Sequence, residues 1–146
     1  MVDVGEKAET EREAVARGLV RMQAETLRKI KNGMVKKGDV LAVAQVAAVQ
    51  GAKRTSDLIP LCHPLRITGV DVRFDFPSDR ELAVEVTVRA LDRTGVEMEA
   101  LTAAAVACLT IYDMCKSVDR GMEIAEVVLW KKTGGKSGVY LRDDAG

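Results

Sequence analysis

Apolar residues recur along the first part of the chain at spacings of three and four. Ala14, Val15, Leu19, Met22, Leu27 and Ile30 follow that rhythm behind Thr10-Glu11-Arg12-Glu13, which matches a Thr-x-x-Glu capping box. Asn32-Gly33 supplies a stop, so the spacing predicts a helix over 11–31. Gly38-Asp39 opens a second helix over 40–49, apolar nearly all round and therefore buried on most sides. The period then changes. Val70, Val72, Phe74 and Phe76 alternate with Asp71, Arg73 and Asp75, the mark of a half-buried strand. Pro77-Ser78-Asp79-Arg80 turns the chain into a second alternating run, Leu82, Val84, Val86, Val88 and Ala90, and the two runs read as a hairpin. Asp92-Arg93-Thr94-Gly95 breaks it, and a helix rich in Ala and Leu follows from Met98 to Lys116. Strand character returns over 122–132, Gly134–Gly138 is a tight glycine loop, and 139–141 adds a short last strand. Residues 1–4 are a candidate edge strand.

Hairpins with helices on one face define an α+β layer rather than a doubly wound parallel sheet. A strand pair crossed by a helix to a further strand fits a ferredoxin-like antiparallel sheet. With 146 residues and 47% hydrophobic content, the chain is expected to be a single domain over 1–146. No apolar run approaches the roughly 20 residues that cross a bilayer, and the acidic, polar N-terminus shows no signal peptide. Three cysteines, Cys62, Cys108 and Cys115, are odd in number and fit reduced thiols, so a cytoplasmic location with no membrane partner is expected. Twenty-two basic residues balance 22 acidic ones, which argues against nucleic acid as the partner. Aromatics at 3% leave no surface on which bases could stack.

Chemistry concentrates in a few places. The segment 51–64 is polar, bounded by Pro60 and Pro64, and reads as a functional loop. His63, the sole histidine, can move protons at neutral pH, although a lone histidine is as readily structural. Cys108 and Cys115 read as buried small hydrophobes, and without paired short spacings no metal site is expected. Gly134-Gly135-Lys136-Ser137 ends like a P-loop, but the first glycine of that motif would fall at residue 130, which is Trp130. A backbone cradle for phosphate and a plain hairpin turn both stay open. Asp113 and Lys116 share a helix face, and their spacing suits an acid–base pair or a surface salt bridge equally. Glu97 and Glu99 flank Met98 at the start of the same helix, where close carboxylates raise one another's pKa or simply complement the helix dipole. Basic clusters at 28–37, Lys53-Arg54 and Lys131-Lys132 suit a small polyanion such as a nucleoside triphosphate, or a solvated face.

Together these stretches resemble the molybdenum cofactor biosynthesis protein C family. The resemblance is carried by Lys37-Gly38-Asp39-Val40, by Ala52-Lys53-Arg54-Thr55-Ser56-Asp57 running into Leu61-Cys62-His63-Pro64-Leu65, and by Thr94-Gly95-Val96-Glu97-Met98-Glu99. Tyr112-Asp113-Met114-Cys115-Lys116-Ser117-Val118-Asp119-Arg120 and the closing glycine loop carry the rest. Members of that family are cyclic pyranopterin monophosphate synthases, lyases that rearrange 3′,8-cyclo-7,8-dihydro-GTP and release pyrophosphate. The resemblance implies catalytic roles for Asp113, Lys116, Lys37 and His63. It implies substrate contacts from Leu61, Cys62, His63, Glu97, Met98, Glu99, Lys53 and Lys132. It further implies a homohexamer built as a trimer of dimers with sites at the dimer interface. A radical S-adenosylmethionine GTP cyclase would be the functional partner. No metal ligand and no tightly bound cofactor are expected, with Mg²⁺ left open. A non-catalytic nucleotide-binding module on the same scaffold would need the cations but not the Asp113–Lys116 pair.

Overall fold

A computed structural model describes residues 1–143. Its elements are β1 (Thr10–Arg21), α1 (Ala24–Lys31), α2 (Val40–Lys53), α3 (Thr55–Leu58), β2 (Ile67–Ser78), β3 (Glu81–Asp92), α4 (Glu97–Cys115), β4 (Glu123–Thr133) and β5 (Tyr140–Leu141). All strands pair antiparallel in one sheet, in the order β2-β3-β1-β4-β5. With α2 and α4 as the long crossovers this is the β-α-β-β-α-β layer, β1 and β3 at its centre. The α+β fold expected from the sequence is the one observed. Residues 144–146, the end of the expected domain, lie outside the described residues.

The first expected element is corrected. Residues 11–31 are not one helix: 10–21 form the central strand, and only 24–31 are helical. Arg12, Ala14, Ala16 and Val20 are buried towards the helices. Glu13, Arg17 and Arg21 form ion pairs on the opposite face. Val15 and Leu19 lie on that second face as well, so the two faces of one strand together imitate a helical spacing. Thr10-x-x-Glu13 caps nothing, because Thr10 begins the strand and the Glu13 carboxylate accepts from Arg89 at 3.0 Å. Small residues let α4 approach: a Cβ at Gly18 would meet Cys108 Sγ at 2.5 Å and Val84 at 3.1 Å. The stop at Asn32-Gly33 is present, with Gly33 at φ +66°. Residues 1–4 form no strand.

The second helix begins as expected, with the Asp39 carboxylate accepting from the Ala42 N–H at 3.1 Å, but it runs on to Lys53. The turn of α3 follows, so of the expected loop 51–64 only Arg54 and 59–64 lie outside the helices. The hairpin is as expected, slightly longer at each end, and pairs Val70, Val72 and Phe74 with Val88, Val86 and Val84. α4 packs on β1, β3 and β4, with Ala100, Ala103, Ala104, Ala107, Cys108 and Ile111 fully buried. At 19 residues it is long and apolar enough to cross a membrane, which no run in the sequence was expected to be; here it is the core helix. α2 packs on α4 and β2, with Gly51 against Ala103 and Val106. Lys37, just before α2, reaches Asp113 near the end of α4, so the two helices run antiparallel.

The helix-free face of the sheet carries a ladder of cross-strand ion pairs. Arg89 joins Glu13 at 3.0 Å to Asp71 at 2.6 Å, and Glu85 accepts from Arg17 at 3.4 Å and Arg73 at 2.7 Å. Arg17 also lies 3.7 Å from the centre of the Trp130 ring. A groove of about 800 Å³ runs over this face; its Arg17, Arg73 and Glu85 are paired with one another, while Asp75 and Glu126 form no salt bridge among the described residues.

Candidate active site

Two adjoining hollows open where α4 begins. The smaller, about 360 Å³, is lined by Leu61, Cys62 and His63 from the loop after α3 and by Glu97, Met98 and Glu99 from the first turn of α4. The larger, about 1160 Å³, shares Lys7, Thr94, Gly95 and Glu97 with it. Its far wall carries Arg12, Lys132 and Lys136 beside Gly135 of the glycine loop. Seven of the residues that the family resemblance implies as substrate contacts therefore meet in one place, although they come from three separate segments. Asp92 ties together the stretches that flank two of those segments, after 61–63 and before 97–99. Its carboxylate accepts from the Arg66 N–H and the Arg93 N–H, both at 2.8 Å, and these bonds hold its pKa below the usual range against the opposing effect of burial.

Glu99 is 3% exposed and has no cation partner among the described residues. Burial, reinforced by Glu97 and Asp92, pushes its pKa up from 4.5 to about 7 although its own N–H helps the charged form. It is a carboxyl group poised to hold or release a proton near neutrality. Burial and the neighbouring Glu99 also raise the Cys62 thiol, so it stays protonated and is a hydrogen-bond donor rather than a nucleophile. Cys108, sealed in the core, is pushed up to about 12 by burial alone, in keeping with its reading as a small hydrophobe.

The larger hollow has one cationic wall, Arg12, Lys132 and Lys136, and carries Asp3, Glu6 and Glu97 with Lys7 elsewhere in its lining. Arg12, 9% exposed, donates from Nε to Asp92 O at 3.3 Å and from Nη2 to Arg93 O at 3.1 Å. The glycine loop wraps it: Gly134 and Gly135 have φ of +97° and +76°, and a Cβ at Gly135 would overlap the guanidinium. Lys132 Nζ donates to Gly134 O at 3.3 Å and to Ser137 Oγ. Thr10 lines this hollow, and its buried hydroxyl has no hydrogen-bond partner among the described residues. Sequence reasoning missed Arg12 as a site residue because it placed 11–31 in a helix, missed Thr10 because it made that residue the helix cap, and gave Lys7 to no element. The alternation of Arg12 with small residues was the signal available.

The remaining catalytic candidates lie elsewhere. Asp113 Oδ1 accepts from Lys116 Nζ at 3.1 Å and Oδ2 from Lys37 Nζ at 3.4 Å, with all three side chains about half exposed. The Lys116 hydrogen bond and the Lys37 charge hold Asp113 below its ordinary pKa, so it stays a carboxylate between two ammonium groups. At about 1.5 Å per residue, Glu99 and Asp113 are about 21 Å apart along α4. Lys53, at the end of α2, is exposed and lines neither hollow. Among the described residues no three His, Cys, Asp or Glu side chains are grouped to hold a metal ion.

Fold and hollows define an α+β domain with a cation-walled cleft suited to a phosphorylated ligand. The sequence model of the MoaC family matches residues 1–135. The chain is 59% identical over 145 residues to the cyclic pyranopterin monophosphate synthase of Thermoanaerobacter pseudethanolicus, spanning 98% of this chain and 91% of that protein. It is 57% identical over 144 residues to that of Desulfitobacterium hafniense (99% and 88%), and 54% identical over 144 residues to that of Brevibacillus brevis (99% and 90%). This chain belongs to the MoaC family.

Proposed function

We propose that the chain is a cyclic pyranopterin monophosphate synthase, a lyase of molybdenum cofactor biosynthesis. It converts 3′,8-cyclo-7,8-dihydro-GTP into cyclic pyranopterin monophosphate and releases pyrophosphate. One observation carries this reading: a pocket for a polar ring system, with Cys62, His63 and Glu99, opens directly into a larger hollow with Arg12 and Lys132 on its cationic wall. A base and its triphosphate fit that pair of spaces in sequence. The cations hold the phosphates and oppose the charge that develops as pyrophosphate leaves. Opening the purine ring and closing the pterin need repeated proton transfers, for which Glu99 and His63 lie in the pocket and Asp113, Lys116 and Lys37 form the second set.

A set about 21 Å away along α4 serves the same substrate only if it comes from a second copy. The site is thus shared across a two-fold interface, in a homohexamer arranged as a trimer of dimers, and Lys53 reaches substrate only across that boundary. The substrate comes from a radical S-adenosylmethionine GTP cyclase, and the setting is the cytoplasm. No step is assigned to a bound cofactor; Mg²⁺ travelling with the triphosphate would add to the charge neutralisation.

Mixing His63→Ala and Lys116→Ala proteins tests both parts of this reading. Each alone is inactive, and random subunit exchange restores about a quarter of wild-type turnover, because half the dimers then hold one intact site. No recovery after exchange proven by mass spectrometry would place both halves of the site in one chain. Wild-type protein that binds the cyclised nucleotide without forming product would be a binding module instead.

A further inference from the structure

Asp119 is a carboxylate that the chemistry above does not use, yet it is 4% exposed and forms no salt bridge among the described residues. A charge is not buried this deeply without compensation. Here one oxygen receives it: Oδ2 accepts from the Gln23 N–H and from the Thr26 hydroxyl, each at 2.9 Å. Gln23 is the N-cap of α1, and its own side chain caps nothing. Asp119 therefore caps α1 from a remote part of the chain, at the positive end of the helix dipole.

The two segments joined by this oxygen are those that carry the paired lysines. On one side, the turn bearing Asp119 starts at Lys116, the C-cap of α4. The Val118 and Asp119 N–H groups both donate to Cys115 O, at 3.0 and 3.1 Å. The Tyr112 hydroxyl closes the turn by donating to Arg120 O at 2.9 Å. On the other side, α1 leads into a connection fixed by the Met34 N–H to Lys29 O (2.9 Å) and the Gly38 N–H to Val35 O (3.1 Å). That connection delivers Lys37 to Asp113 O at 3.1 Å and Oδ2 at 3.4 Å. Lys37 and Lys116 are both about half exposed on flexible stems, so their convergence on Asp113 depends on where their backbones are held.

We propose that Asp119 is a positioning residue, which through Gln23 and Thr26 locks the Lys37 segment to the Lys116 turn and so sets both ammonium groups around Asp113. This rests on the reading that those three groups act on the substrate. An apolar side chain could fill the same space, but it could not register the two segments against each other.

The full-length enzyme tests this with three variants beside wild type and Lys116→Ala. Both bonds land on one oxygen, so Asp119→Asn can keep them with its amide oxygen and retains kcat within about threefold. Asp119→Leu and the near-isosteric Thr26→Val cannot, and they lower kcat by about 10- to 100-fold, as displacements of about 1 Å do. KM stays within about twofold, because the substrate-binding hollows lie at the other end of α4. Amide hydrogen exchange at Val118, Asp119 and Gly38 speeds up in those two variants while Ala104 in mid-α4 is unchanged. Should Asp119→Leu fail to fold, Thr26→Val decides. Wild-type kcat in folded Thr26→Val, with Lys116→Ala inactive, overturns the positioning role. So does a kcat loss accompanied by faster exchange at Ala104, which marks plain destabilisation. Wild-type turnover in Lys116→Ala overturns the underlying reading instead, and the positioning role with it.

Discussion

The two ends of α4 treat a carboxylate in opposite ways. At the first turn Glu99 is buried among Cys62, Glu97 and Asp92, without a cation, and its pKa rises to about 7. At the last turn Asp113 stands in solvent between Lys37 and Lys116 and is held ionised. The helix itself is apolar and rigid between them, with alanines against the sheet. Residue type does not distinguish the two ends, since each offers acids; burial and the nearest charge do. One end can exchange a proton near neutrality in a secluded hollow. The other keeps its charges fixed and open, which suits a group offered to a neighbouring subunit.

The largest effect should come from the exposed end. Lys116→Ala and Asp113→Ala each lower turnover by about 10²–10⁴-fold, the usual cost of removing an acid–base group. Melting temperature hardly moves, because ion pairs this open to solvent contribute little to stability. A melting-temperature loss without a rate loss would make the trio a surface salt bridge and leave the buried end as the only chemical one.

At the buried end, Arg12→Met acts on stability and binding together. It leaves the carbonyls of Asp92 and Arg93 without their donor, at a cost of roughly 2–4 kcal/mol for two charge-assisted bonds. It also removes one cation from the wall of the larger hollow. Arg12→Lys should recover little, because one ammonium cannot reproduce the planar fork that reaches both carbonyls. Chemical denaturation and analogue binding read the two effects separately; full stability in Arg12→Lys would mean that the fork is unimportant.

How much of this was legible in the sequence follows from what each residue meets. The hairpin β2–β3 is plain, because one face of each strand is apolar and the other charged. β1 is not, because Val15 and Leu19 put apolar side chains on its charged face and blur the period of two. Losing β1 to a helix also hid Arg12 and Thr10, which reach the hollow only because the strand delivers them there. The loop residues Cys62 and His63 and the pair Glu97 and Glu99 were legible from local composition, Leu61 only through the family resemblance, and they do meet. The distance between that group and Asp113 was not, since it depends on α4 being straight and α2 running antiparallel to it. Spacing shows which residues share a helix face; it does not show which end of the fold a loop returns to.

The elevated pKa of Glu99 makes a stability prediction. The native state holds this proton more tightly than the unfolded chain, whose group titrates near 4.5. The resulting stabilisation is complete below pH 4.5 and is lost as pH rises through about 7. Glu99→Gln cannot ionise, so its stability relative to wild type should climb between those values and reach an advantage of up to about 3 kcal/mol above pH 8. Denaturant titrations at pH 5 and pH 8 measure the difference. An advantage that is the same at both would mean that Glu99 is ionised throughout, and the contrast with Asp113 would vanish.

The smallest effect separates two lysines on the cationic wall of the larger hollow. Lys132 is fixed by its bonds to Gly134 O and Ser137 Oγ, whereas Lys136 extends from the glycine loop without an ion pair among the described residues. A preset ammonium binds phosphate without first losing its rotamer freedom; a mobile one must lose it on binding. Lys132→Met should therefore weaken binding of a triphosphate analogue about 3- to 10-fold, and Lys136→Met less than about twofold. Contacts open to solvent are screened over about 8 Å at physiological ionic strength, so raising salt should shrink the Lys132 effect and weaken wild-type binding. Calorimetry at two salt concentrations reads both. If the order of the two lysines is reversed, the glycine loop closes on the ligand rather than merely framing it, and Lys136 becomes part of the grip. If neither variant nor salt changes affinity, the phosphates are held by Arg12 and the backbone alone.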